Sequence, residues 1–226
     1  MNILAIIPAR GGSKRIKNKN MVELAGKPLI WYTINEAKKS RYINKLILST
    51  DDDKIIEIAK RYNIEIIKRP KELAKDDSPV IDAINHVLGS LKDYKPGIVV
   101  LLQPTSPLRT VEDIDGTIQL LLESNADSAE TFCEVSEHPA QMFRVDNKNN
   151  AYPLDKENLP KVHQDLPILY RENGAVYVIK VSTFLRMNTL YGNNHKALIM
   201  PKERSIDIDD YFDLKLIEGL LKNEGN

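Results

Sequence analysis

The sequence predicts an α/β protein with a mostly parallel sheet and helices on both faces. Short apolar runs rich in Ile, Val and Leu recur along the chain, and amphipathic stretches separate them. Strand and helix in strict alternation make successive strands parallel, because each crossover must return the chain to the same edge of the sheet. In such sheets ligands bind beyond the carboxyl ends of the strands, so the residues that follow each strand are where chemistry is expected.

Residues 3–7, 46–48, 64–67 and 98–102 are bounded by Pro, Gly, Asp or Arg and read as strands buried on both faces. Residues 28–39 read as a helix with Pro28 at its first position and Leu29, Ile30, Thr33, Ile34 and Ala37 on one face. Residues 52–62 repeat the pattern with Ile55, Ile56, Ala59 and Tyr62. Ser78 is expected to cap a third helix that starts at Pro79. Thr110 and Asp113 have the spacing of a capping box ahead of residues 114–122. Residues 138–167 are polar and carry Pro139, Pro153, Pro160 and Pro167, with a turn-like stretch at 146–150; they read as an inserted arm. The sheet pattern returns at 175–179 and 197–200, and a last helix covers about 211–222.

A chain of 226 residues suits a single domain, here taken as residues 1–226 with the insert at about 138–167. With 42% hydrophobic and 28% charged residues it reads as soluble and globular. Basic and acidic residues balance at 32 each, which gives no reason to expect nucleic acid or membrane as a partner. Basic residues concentrate in one loop without interleaved aromatics, which further disfavours a nucleic-acid module. Cys133 stands alone, so an intramolecular disulfide and a thiolate zinc cluster are excluded, and a buried small hydrophobe is expected there. The apolar stretch 1–7 is too short for a signal peptide or a membrane span, so a cytoplasmic location is expected.

The strongest chemical signal follows the first strand. Residues 8–20 hold Arg10, Lys14, Arg15, Lys17 and Lys19, and no acid appears before Glu23. Gly11 and Gly12 permit backbone turns that aim amide groups at an anion. Cations and free amides at the end of a first parallel strand suit a triphosphate; the alternative is a solvated basic loop. The spacing matches neither the P-loop nor G-x-G-x-x-G. Asp207 and Asp209 are the second signal. Carboxylates at i and i+2 of an extended segment share a face and suit Mg²⁺, or Asp209 or Asp210 caps the following helix. Residues 103–107, Gln-Pro-Thr-Ser-Pro, form a rigid turn that exposes short polar side chains after the strand at 98–102. Arg109 reads as structural, or as a partner of Glu112 or Asp113. His86, His138, His163 and His195 show no metal-ligand spacing.

The run Ile6–Asn20, IIPARGGSKRIKNKN, closely resembles the opening motif of the acylneuraminate cytidylyltransferases, the CMP-sialic acid synthetases. STD at 49–51, RPKELA at 69–74, LLQPTSPLR at 101–109, YRENGAVY at 170–177 and SIDID at 205–209 resemble that family in the same order. The resemblance spans nearly the whole chain. It implies a Rossmann-like nucleotidyltransferase fold, CTP and an acidic sugar as substrates, Mg²⁺ as cofactor, and a homodimer joined through the insert. It implies that Arg10, Gly12, Ser13 and Lys14 hold the triphosphate, Lys19 the α-phosphate, Asn20 the nucleotide, and that Arg69 lies near the base. It places Gln103, Thr105, Ser106, Arg171 and Asn173 on the sugar, with Asp207 and Asp209 on the metal, and makes Lys19, Arg10 and Asp209 the catalytic set. His138-Pro139 matches a His-Pro of the family's sugar-facing insert. Where sialic-acid enzymes often carry a lysine after that His-Pro and an arginine before the YRENG motif, this chain has Ala140-Gln141 and His163. The sugar therefore stays open between the sialic, pseudaminic, legionaminic and 3-deoxy-octulosonic types. A nucleotide binder without turnover is the alternative outside enzymology.

Overall fold

The structure, a computed structural model, describes residues 1–157, 159 and 165–223. Its core is a seven-stranded sheet. The strands are β1 (Ile3–Pro8), β4 (Lys45–Thr50), β5 (Glu65–Lys68), β6 (Ile98–Leu101), β7 (Ser128–Glu134), β10 (Tyr170–Lys180) and β11 (His195–Ile199). Two ribbons lie outside it, β2 (Glu23–Leu24) with β3 (Lys27–Pro28), and β8 (Phe143–Val145) with β9 (Ala151–Pro153). The helices are α1 (Leu29–Lys39), α2 (Asp53–Lys60), α3 (Val80–Ser90), α4 (Val111–Glu123), α5 (Val181–Met187) and α6 (Tyr211–Asn223).

Across the sheet the order is β11-β7-β10-β6-β1-β4-β5. β1 is parallel to both β4 and β6, β4 to β5, and β11 to β7. β10 runs antiparallel between β6 and β7, so the expectation of parallel strands fails at that one strand. From β1 the chain steps outward through β4 to β5, then returns to place β6 on the other side of β1. That reversal is a topological switch point, and it opens a crevice between the loops that leave β1 and β6.

Apolar side chains fill both faces. α1, α2 and α4 contribute Ile30, Ile34, Ile55, Ile114 and Ile118 to one core layer, and α3 and α5 contribute Ile84, Val87 and Phe184 to the other. A third cluster gathers Ile16, Leu24, Leu29, Leu108, Ile208 and Ile217. It joins the basic loop, the turn before α4, the segment before α6 and α6 itself.

Local signals account for most boundaries. Asp52 caps α2 by accepting from Lys54 and Ile55 N–H. Asp113 Oδ2 accepts from the Thr110 N–H at 2.9 Å, the acidic half of the expected capping box. Pro28 sits one position further out than expected, as the N-cap of α1. Ser78 does not cap α3: Pro79 holds that position, and the Ser78 hydroxyl closes the preceding turn by accepting from Lys75 N–H. The expected arm contains the β8–β9 hairpin, whose tight turn is held by the Asp146 carboxylate on Lys148 and Asn150 N–H. His163 and Pro160 lie outside the described residues. Cys133 is buried and free, as expected.

Candidate active site

A cleft of about 510 Å³ opens at the switch point. Arg10, Gly12, Ser13, Lys14, Lys19 and Asn20 line it from the loop after β1. Gln103 and Thr105 enter from the turn after β6, Arg69 from the end of β5, and Asp209 from the segment before α6. The structure thus brings the residues assigned to the nucleotide into one wall-to-wall set.

The basic loop is held in shape by contacts at several points. Ile16 is fully buried in the third cluster, which fixes the middle of a run that is otherwise charged. Asn18 takes a left-handed conformation, φ 55°, and starts the short turn Lys19–Met21. The Asn20 side chain donates to the Arg10 carbonyl at 2.9 Å and ties the two ends of the loop together. The glycines work differently from the expectation. Neither Gly11 nor Gly12 has positive φ. The Gly11 N–H donates to Asp51 Oδ1 at 2.9 Å and so is not free for an anion. A Cβ on Gly11 would lie 2.3 Å from Asp52 Oδ2, which is why no side chain fits there. Gly12 faces open space on the cleft wall.

Each pair of loop cations shares one carboxylate. Arg10 and Lys14 both contact Asp76 at 2.7 Å. Arg15 contacts Asp209 at 3.0 Å, and Lys19 Nζ lies 3.8 Å from it. Lys19 also donates to the Ile208 carbonyl at 2.6 Å and is well buried at 15% side-chain exposure. Asp76 is not singled out by the sequence, because adjacent acids in a polar loop read as a solvated surface.

Asp207 and Asp209 occupy different environments. Asp210, not Asp209, caps the start of α6, accepting from Phe212 and Asp213 N–H, so capping engages neither candidate ligand. Burial pushes the Asp207 carboxyl up and the Asp209 charge adds to the rise, while Thr105, Lys19 and Ser106 pull it down. A half-buried carboxylate beside a second carboxylate is a hard oxygen set that fits Mg²⁺ with further oxygens from a ligand. Among the described residues no group of three or more His, Cys, Asp or Glu side chains forms a metal site, so phosphate oxygens would have to complete the shell.

On the assigned sugar side, Gly174 has φ 73°, and a Cβ there would come within 4.0 Å of Gln103, Ser106 and Asp207. Arg171 stands exposed and donates to the Glu172 and Ser205 carbonyls, and among the described residues it pairs with no carboxylate. Asn173 does not face the cleft: it is 2% exposed. Its amide accepts from Thr131 Oγ1 and Ala175 N–H and donates to Ser205 Oγ. Ser106 is also buried, donating to Asp207 at 3.4 Å. The polar atoms of both side chains are engaged inside the protein. Arg69 is buried under the cleft, donating to the Ser49 and Leu73 carbonyls, and burial pushes its guanidinium down. Arg109 pairs with neither Glu112 nor Asp113. It donates to the Gln103 and Ala175 carbonyls and to Thr33 Oγ1, pinning the 103–109 turn between α1 and β10, and burial brings its pKa down to about 10. Arg204 takes the Asp113 carboxylate instead, at 2.6 Å. His138 Nδ1 accepts from Ala140 N–H and caps the turn Pro139–Gln141.

A family model described as Cytidylyltransferase matches residues 4–224. The N-acylneuraminate cytidylyltransferase of Escherichia coli O18:K1:H7 is 34% identical over 95% of this chain and 51% of that protein. The CMP-N,N'-diacetyllegionaminic acid synthase of Legionella pneumophila is 33% identical over 98% of this chain and 97% of that protein. The chain thus spans about half the length of the first of these relatives and nearly all of the second. Among solved structures, the CMP:2-keto-3-deoxy-manno-octonic acid synthetase complexed with CTP superposes with a TM-score of 0.75 at 17% identity, over 99% of this chain and all of that one. That likeness establishes the fold.

Proposed function

We propose, from the premise that this chain belongs to the cytidylyltransferase family, that it couples CTP to a nonulosonic acid, giving a CMP-sugar and pyrophosphate. The observation that carries the reading is the convergence of Arg10, Lys14, Lys19, Gln103, Thr105 and Asp209 on one cleft at the switch point. The anomeric hydroxyl oxygen attacks the α-phosphorus and loses its proton. The bond from the α-phosphorus to the bridging oxygen breaks, and pyrophosphate leaves with the electron pair. Little covalent chemistry falls to the protein, so positioning and charge stabilisation dominate. Lys19, held by Ile208, meets the charge that grows on the α-phosphate. Arg10 and Lys14 hold the β- and γ-phosphates, Arg10 bidentately and Lys14 as a point charge. Gly12, Ser13 and Asn20 complete the nucleotide wall, with Arg69 beneath the base. Arg171 receives the sugar carboxylate, beside Gln103 and Thr105.

Asp207 and Asp209 would hold Mg²⁺, which supplies Lewis-acid neutralisation of phosphate oxygens when bound. The hairpin arm serves as a dimer contact, a reading supported by exposed Phe143, Val145, Tyr152 and Leu154. Sedimentation of wild type against Phe143→Ser with Tyr152→Ser tests it; a species of unchanged mass in both would remove it. No described helix is long and apolar enough to cross a membrane, and a cytoplasmic location fits a reaction fed by CTP. Pyrophosphate release with CTP, Mg²⁺ and a panel of sialic, legionaminic, pseudaminic and octulosonic acids tests the whole reading. Turnover with one sugar names the substrate. CTP binding with no release across the panel would favour the non-catalytic alternative.

A further inference from the structure

The loop between β5 and α3 reaches into the cleft. Its turn Lys71–Leu73 is anchored from below, where Arg69 Nη1 donates to the Leu73 carbonyl at 3.4 Å. The turn that follows closes through Ser78, whose hydroxyl accepts from Lys75 N–H and donates to the Glu72 carbonyl. Asp76 projects from this closed turn onto the cleft wall, and Ser78 and Val80 line the same cavity. Its two oxygens are divided between two cations: Oδ1 on Arg10 and Oδ2 on Lys14, each at 2.7 Å. A carboxylate that spreads its oxygens over a guanidinium and an ammonium has the charge and contact pattern of a phosphate at the same place.

We propose that Asp76 is an internal surrogate for the polyphosphate: it occupies the Arg10–Lys14 pair when the cleft is empty, is displaced by the triphosphate, and returns as pyrophosphate leaves. This rests on the nucleotidyl-transfer reading for its ligand, though not for the exchange of anions itself. The site has the features that exchange needs. Asp76 is 37% and Lys14 82% exposed at the side chain, so the bridges are solvated, individually weak and quick to open. The Arg10 end of the pair still stays in place, because its backbone is fixed by Asn20 and by the Gly11–Asp51 bond. A single carboxylate competes poorly with a triphosphate but well with one phosphate group. Asp76 therefore sets a threshold of ligand charge, excluding small anions and easing product release. It acts as a specificity residue on the Arg10–Lys14 pair, with no part in the chemical step.

Calorimetric titration with tripolyphosphate, CTP and cytidine tests this on wild type, Asp76→Asn and Asp77→Asn. Losing two exposed bridges should raise tripolyphosphate and CTP affinity about 3- to 30-fold in Asp76→Asn. Cytidine, which lacks phosphate, should be unchanged, and Asp77→Asn, with the same loss of charge, should gain much less. In a Lys14→Gln background the gain should shrink. Pyrophosphate should become a stronger product inhibitor of Asp76→Asn by a similar factor. Unchanged or weaker tripolyphosphate binding in Asp76→Asn would overturn the proposal, and so would an equal gain in Asp77→Asn, which would reduce the effect to net charge. If tripolyphosphate behaves as expected while CTP binds no better than tripolyphosphate, the anion exchange stands and the nucleotide reading falls.

Discussion

The cleft at the β1–β6 switch point and the far end of the sheet, where β7, β10 and β11 meet, treat charge in opposite ways. In the cleft every carboxylate that faces solvent shares its charge with loop cations, as Asp76 and Asp209 do. At the far end Glu130 is 1% exposed, and neither of its oxygens has a hydrogen-bond partner among the described residues. The His195 ring lies beside it, with Nε2 3.7 Å from a Glu130 oxygen. Burial and the charge of Glu172 raise the Glu130 pKa to about 8. The same burial lowers His195, whose Nδ1 shares a hydrogen with Ser128 Oγ at 2.7 Å, so the pair is neutral near pH 7. Burial, then the charge of Glu130 and the hydrogen bond to Glu172, pushes Tyr191 up to about 12. Charge near water is cheap to hold and easy to exchange. Charge under a sheet is avoided by keeping the proton, at a cost to stability that depends on pH.

The contrast can be broken most forcefully in the cleft. Lys19→Ala should lower kcat by about two to four orders of magnitude with little change in melting temperature. A change confined to KM would make Lys19 a binder only. Next comes Arg109→Met, which leaves the Gln103 and Ala175 carbonyls without their donor. It should cost about 3 kcal/mol in urea unfolding, and a loss below about 1 kcal/mol would show that the turn is held otherwise.

Glu130→Gln sharpens the comparison at the other end. An acid with a raised folded pKa binds more protons folded than unfolded between about 4.5 and 8. Stability from its protonated form is therefore full below about 4.5 and is lost as pH climbs to about 8. The variant should gain about 1–3 kcal/mol at pH 8.5 and change little at pH 4.5. A gain of equal size at both would assign the effect to packing. Smallest is Lys68→Ala, which removes a solvated bridge to Asp53. It should cost less than about 1 kcal/mol, and a larger loss would mean that exposed pairs carry this fold.

What was legible in the sequence follows the same division. The strand Ile3–Pro8 and the basic loop after it stand out because apolar burial and solvent-facing cations are patterns that composition records. Thr110 and Asp113 were readable because a capping box is local. β7 is absent from the strands read in the sequence, since a buried acid in mid-strand contradicts the pattern that finds strands. The start of β10, Tyr170 to Glu172, escapes the strand pattern because it is polar and exposed and its register shifts before Tyr177. The family resemblance assigns Asn173 to the sugar, while its amide is spent on Thr131 and Ser205. Asp76 was invisible because its meaning lies in contacts with residues some sixty positions earlier, which no local rule connects.

Ile16 carries one more consequence. It is the fully buried residue in the middle of the charged loop, and it packs with Leu108 below the Gln103 turn and with Ile208 between the two aspartates. Three segments that border the cleft, distant in sequence, thus share a single greasy peg. The entropy of ordering them is settled when the chain folds, and the ligand meets a template already set. Truncating that peg would slacken all three at once, so an Ile16→Ala enzyme warmed gradually would fall silent while its sheet still stood.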